Sequence, residues 1–139
     1  MAFYVLVRIP VGTALTEELV FRGVLIAAWR AAGASTFVAA LCASLAFGLW
    51  HIEPTKIGMH MNDPNASRQK VAVAVAGALV LTTIAGLGLS WLRVTSGGLL
   101  APIVVHAGIN SLSALAASRA LAEHMKTERS PSNEVLHPH

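Results

Sequence analysis

Three small groups of polar side chains stand inside otherwise apolar runs of this chain: Glu17-Glu18 with Arg22, His51, and His106 with Asn110. Their chemistry is that of hydrolysis. A carboxylate can act as general base or acid, a neutral imidazole can shuttle a proton or bind a metal near pH 7, and an amide N–H can stabilise an oxyanion. On a helix advancing about 100° per residue, Glu18 and Arg22 share a face at i, i+4 while Glu17 points away from both. The spacing therefore predicts an ion pair between Glu18 and Arg22 and leaves Glu17 unpaired for acid–base work. Phe47 and His51 repeat the i, i+4 relation, as do His106 and Asn110.

Each group has a plainer reading when taken alone. Glu17, Glu18 and Arg22 could be an ion cluster at a helix entry capped by Thr13 or Thr16, His51 an interfacial residue beside Trp50, and His106 a cross-helix hydrogen bond. Ionisable groups near a bilayer centre cost at least about 2.5–3.5 kcal/mol each, so they persist mainly where they pair or work. Three such groups on three separate apolar spans point to one intramembrane hydrolytic site. His60, His124, His137 and His139 fall in polar stretches or the tail and read as solvated bystanders.

The elements that carry these residues follow from composition. Of 139 residues, 55% are hydrophobic and 12% charged, and the mean hydropathy is +0.63, well outside the range of soluble domains. The expected fold is all-α: a polytopic membrane helix bundle of about four transmembrane helices with the site inside it. A bilayer core of about 30 Å needs about 20 apolar residues as helix. Four stretches approach that length, at 2–31, 34–51, 70–93 and 99–122. Pro10 and Gly12 break the first, so its spanning helix is expected to start near Thr13. Gly33 and Ser96-Gly97-Gly98 punctuate two turns, and Ile52 to Gln69, with Pro54 and Asn62-Asp63-Pro64-Asn65, reads as a polar loop. Ala76, Gly77, Gly86 and Gly88 in the third span read as packing positions that let helices approach closely. Residues 1–125 form one expected domain, with a motif core of about 13–116, and 126–139 reads as a disordered polar tail.

Charge and cysteine exclude several alternatives. The net charge of +3 comes from singly dispersed Lys and Arg, without the clustered stripe that nucleic acid requires. Cys42 is the one cysteine, so no internal disulfide can form. Met1 to Ile9 lacks the basic start and cleavage site of a removable signal peptide. Arg8, Lys56, Arg68, Lys70, Arg119, Lys126 and Arg129 lie on one side of the spans, against Arg30 and Arg93 on the other. The positive-inside rule then places both termini in the cytoplasm of a bacterial inner membrane protein. By depth along straight helices, His51 and His106 mismatch, which tilt or shifted helix boundaries must absorb.

The motifs occur in the order EExxxR (Glu17 to Arg22), FxxxH (Phe47 to His51) and HxxxN (His106 to Asn110). In this the chain resembles the CAAX protease and bacteriocin-processing (CPBP, or Abi) family of intramembrane endopeptidases. The resemblance covers about Thr13 to Ala116 and rests on all three motifs in sequence. Members usually carry further spans ahead of the EExxxR helix, whereas a short segment precedes Glu17 here, as a minimal core or a start further upstream would give. The resemblance implies a membrane-associated peptide or protein substrate. It implies that Glu17 and His51 activate the attacking water, that His106 and Asn110 bind the oxyanion or a metal, and that Glu18 and Arg22 are a supporting ion pair. Family members are described both as metalloproteases and as working by a metal-free glutamate mechanism, and the spacing leaves both open. A zinc set would draw on Glu17, His51 and His106. Two readings of other classes compete with the enzyme: a non-catalytic scaffold or bacteriocin-immunity-type binding protein built on the same core, and a small transporter or channel subunit. The full motif set favours the enzyme over the scaffold, and the lack of internal repeats disfavours the transporter.

Overall fold

A computed structural model describes residue 3 and residues 7–129, and among them every regular element is helical. The first helix, α1, runs over 7–31 without interruption. Its winding alternates: Pro10–Leu15 and Leu19–Leu25 are π-helical, while Thr16–Glu18 and Ile26–Ala31 are α-helical. The break expected at Pro10 and Gly12 does not occur. Pro10 opens a π-wound segment, so its missing N–H falls where the regular i→i−4 ladder is already interrupted. Residues 1, 2 and 4–6 of the expected opening segment lie outside the described residues.

Gly33, at φ +90°, turns the chain into α2, Thr36–Trp50, whose N-cap Ser35 accepts a hydrogen bond from Val38 N–H. The expected polar loop after His51 is instead mostly helix α3, Ile52–Asn62. Pro54 permits this because it sits in the first turn of α3, where a proline forfeits no intrahelical bond. The helical ladder resumes at once, with Thr55 N–H donating to His51 O at 3.1 Å. Only the short Asp63–Ser67 connection remains a turn, before Ser67 caps α4, Arg68–Ser96. Gly97, left-handed at φ +69°, ends α4, and α5 follows as Leu100–Arg129. Helix α5 thus includes Lys126–Arg129, which the sequence reading assigned to a disordered tail, whereas 130–139 lie outside the described residues.

Three helical runs among the described residues are long and apolar enough to cross a membrane: Thr36–Asn62, Arg68–Ser96 and Leu100–Thr127. Helix α1, the remaining expected span, carries Glu17, Glu18 and Arg22 in its middle and surrounds them with its neighbours. The chain is built inside out relative to a soluble protein. Its largest fully buried side chains include Arg22, Glu18, Ser44 and Ser90, while Val80, Leu81, Ile84 and Trp91 on α4 are exposed. Only 6% of the apolar window of α4 is buried, so the rest suits contact with lipid. The chain is an integral membrane protein.

Helices α2 and α4 pack most extensively, and small residues make that approach possible. A Cβ on Gly48 would fall on Thr83 Oγ1 and stand 3.0 Å from the Leu79 carbonyl oxygen. One on Gly86 would stand 3.1 Å from Ser44 Cβ and 3.2 Å from Arg22 Nη2. A Cβ added at Gly77 or Gly88 would meet nothing within 4 Å among the described residues, so of the three glycines that the sequence marks on α4, Gly86 is the one that serves packing. Ile26, Ala39 and Ala43, with Leu25 against them, fill the seam between α1 and α2.

Candidate active site

The site is built around Glu18. Arg22 Nη1 donates to Glu18 Oε1 at 2.9 Å, one turn away on α1, and both side chains are fully buried. Arg22 Nη2 reaches across to the Gly86 carbonyl of α4 at 3.3 Å. The guanidinium also lies over the Phe47 ring of α2, with Cζ 4.2 Å from its centroid, a desolvated cation–π contact of about 2 kcal/mol. One arginine thus ties α1, α2 and α4 together. Among the described residues, the buried Glu18 Oε2 and Arg22 Nε find no hydrogen-bond partner.

His106, from the second turn of α5, points its Nδ1 at Glu18 Oε1 at 2.8 Å. A carboxylate so placed accepts, so Nδ1 carries a proton and donates it; in the neutral tautomer that this selects, Nε2 carries the lone pair. Nε2 in turn faces Glu17 Oε2 at 3.7 Å. That separation exceeds a direct hydrogen bond, and the two atoms border a common space from which one water at their side reaches both. The two carboxylates differ in access: the Glu17 side chain is 17% exposed and that of Glu18 0%. Glu17 stays apart from Arg22, as the geometry of its own helix predicts, and the group that faces it, His106, comes from α5. Glu18 serves Arg22, as the i, i+4 spacing predicted, and His106 as well.

His51 owes its position to a local tightening at the end of α2. Its backbone N–H turns to Gly48 O at 3.1 Å, and the Phe47 carbonyl instead meets His51 Nδ1 at 2.8 Å. Since a carbonyl only accepts, Nδ1 carries the proton here too, and the lone pair sits on Nε2. Among the described residues no carboxylate oxygen stands within 4 Å of the His51 ring nitrogens, whereas His106 has Glu17 at 3.7 Å. The Phe47 ring instead links the two histidines, 4.5 Å from the His51 ring and 5.6 Å from that of His106, edge to face in both cases. The two histidines are thus brought together on one ring despite their unequal positions along their helices, and the run carrying His51 continues to Asn62. Phe21 closes the far side of Phe47 at 5.2 Å.

Asn110, one turn beyond His106, donates from Nδ2 to Thr13 Oγ1 at 3.3 Å. Glu17, Glu18, Arg22, Phe47, His51 and His106 thus form one contiguous cluster, with Asn110 at its edge. The residues that the motifs passed over are Thr13, Phe21 and the Gly86 carbonyl. Thr13 had a signal as a hydroxyl one turn before Glu17, but a backbone carbonyl has none in a sequence. The π-helical turns flanking Thr16–Glu18 are a further mark, since such turns frequently accompany functional sites.

The proposed zinc donors do not gather as a metal site. Among the described residues no three His, Cys, Asp or Glu side chains are grouped to hold an ion. Nδ1 of His106 meets Glu18 and Nδ1 of His51 meets the Phe47 carbonyl, which leaves Nε2 as the ring nitrogen that either would offer a metal. The donor types suit a metal, whereas among the described residues the spacing of Glu17, His51 and His106 does not bring the three around one ion.

Residues 1–112 match the family model described as type II CAAX prenyl endopeptidase Rce1-like, a stretch that takes in all three polar motifs. No curated protein and no solved structure matches the chain.

Proposed function

Because the chain belongs to the Rce1-like type II CAAX prenyl endopeptidase family, a family of membrane endopeptidases, we propose that it hydrolyses a peptide bond in a membrane-anchored substrate with a water held between Glu17 and His106. The observation that carries this reading is the 3.7 Å gap between Glu17 Oε2 and His106 Nε2. A water donating one proton to each acceptor turns its lone pairs outward, toward a scissile carbonyl. Glu17 takes the proton as the oxygen attacks carbon, and the tetrahedral intermediate carries its charge on the former carbonyl oxygen. An amide N–H of Asn110 is placed to stabilise that charge. Collapse breaks the C–N bond, and the proton on Glu17 passes to the leaving nitrogen. Glu18, paired with Arg22, fixes the His106 tautomer that leaves Nε2 able to accept.

The substrate class follows from the surroundings. A cleft of about 330 Å³ between α4 and α5 is lined by Ala85, Gly88, Leu89, Leu92, Val105 and Ile109. Val105 and Ile109 each precede a site residue on α5, so the cleft occupies the neighbouring face of the helix that carries His106 and Asn110. A prenylated C-terminal tail has the apolar chemistry of this lining, and the family's description names it.

The test compares wild type with Glu17→Gln on a farnesylated C-terminal peptide in detergent or vesicles. Cleavage by wild type and a loss of at least about a hundredfold in the variant are expected, in the range of a positioned general base. Equal cleavage by the two, or peptide binding without cleavage by wild type, would contradict the proposal and favour a binding role for the same core.

A further inference from the structure

We infer that Thr13, which lies outside the three polar motifs, is a positioning residue that sets which end of the Asn110 amide faces the reaction. The inference rests on the hydrolytic reading and adds a residue to it. Thr13 Oγ1 donates its only proton to the Ile9 carbonyl at 2.7 Å, one turn back on α1. Its oxygen therefore presents only lone pairs to α5. The group that meets it, at 3.3 Å, is Asn110 Nδ2. A side-chain amide can turn over by exchanging its oxygen and nitrogen, and in many sites either orientation finds partners. Here the committed hydroxyl rejects the carbonyl end, because two acceptors would face one another.

The consequence is directional. With one Nδ2–H on Thr13, the second Nδ2–H is available on the side of His106, four residues earlier on the same face of α5. The flipped amide would offer the oxyanion a carbonyl oxygen and raise the barrier. Thr13 belongs to the π-wound segment Pro10–Leu15, and that segment makes the principal packing of α1 against α5. The hydroxyl is thus held by the same turn that docks the two helices.

The experiment uses the full chain in detergent with Thr13→Val, which keeps the shape and removes the acceptor, and Thr13→Ser, which keeps the hydroxyl. For Thr13→Val, kcat on the farnesylated peptide is expected to fall about tenfold with KM unchanged, as for a misoriented catalytic group. Thr13→Ser is expected to restore it. The side-chain amide signals of the full chain labelled with ¹⁵N-asparagine supply a readout that a merely structural role would not move. The Asn110 pair is expected to shift in Thr13→Val and to hold its place in Thr13→Ser. An unmoved Asn110 pair, wild-type kcat in Thr13→Val, or failure of Thr13→Ser to restore the rate would each overturn the inference. Wild type and Glu17→Gln cleaving alike would instead overturn the hydrolytic reading, and the amide signals, which need no substrate, still report whether Thr13 holds Asn110.

Discussion

Arg22 shows how much of this molecule turns on single polar side chains. Its guanidinium satisfies Glu18, reaches the Gly86 carbonyl and covers Phe47. Replacing it with Met leaves Glu18 as an uncompensated buried charge, a change that costs about 3–5 kcal/mol in buried pairs. Arg22→Met should therefore lower the unfolding midpoint in detergent strongly. Arg22→Lys, which keeps the charge but lacks the planar fork, should fall between it and wild type. A midpoint for Arg22→Met equal to that of wild type would show that the pair does not hold the bundle. The Glu18–Arg22 contact was legible in the sequence because i, i+4 spacing lies within one helix. The partners of Glu17 and Asn110 were not, because each comes from a different helix and no local period encodes it. Hence Glu17 looked solitary, and Thr13 looked like no more than a cap.

Among the elements, glycine placement decides how closely the helices that carry the site can meet. Gly48 lies between Phe47 and His51 in sequence, and its backbone packs against Leu79 and Thr83 of α4. Adding one methyl there meets a carbonyl oxygen that cannot move aside, and overpacking of this kind costs about 1–3 kcal/mol. Gly77 lies on the same helix α4 with open space around its Cα, where alanine relieves a glycine penalty of up to about 1 kcal/mol. Thermal unfolding in detergent should rank Gly77→Ala at or above wild type and Gly48→Ala clearly below it. The reverse order would refute the close approach of α2 and α4. Apolar length located the cores of the second, third and fourth stretches well, because a bilayer demands it. It failed where polar residues form helix, in Ile52–Asn62 and in the last turns of α5. There the rules for proline and polar clusters suggested loops, yet Pro54 fell in a first turn and the backbone kept its ladder.

For the whole molecule, membrane residence could be read from composition alone and a shared site from three polar groups on three apolar spans, whereas the role of each residue came through resemblance to a family. The structure supplies a physical form for that site: α1 and α5 bring carboxylate and imidazole to within 3.7 Å, and Phe47 of α2 joins the second histidine to them. If Glu17 and His106 act on one water, their effects on rate cannot be independent, since removing either abolishes the same step. The decisive measurement is therefore a double-mutant cycle on kcat/KM for the anchored peptide with Glu17→Gln, His106→Gln and the two combined. The account predicts that the double variant is no slower than the slower single variant. Losses that multiply in the double variant would mean that the two side chains work apart, and would contradict it.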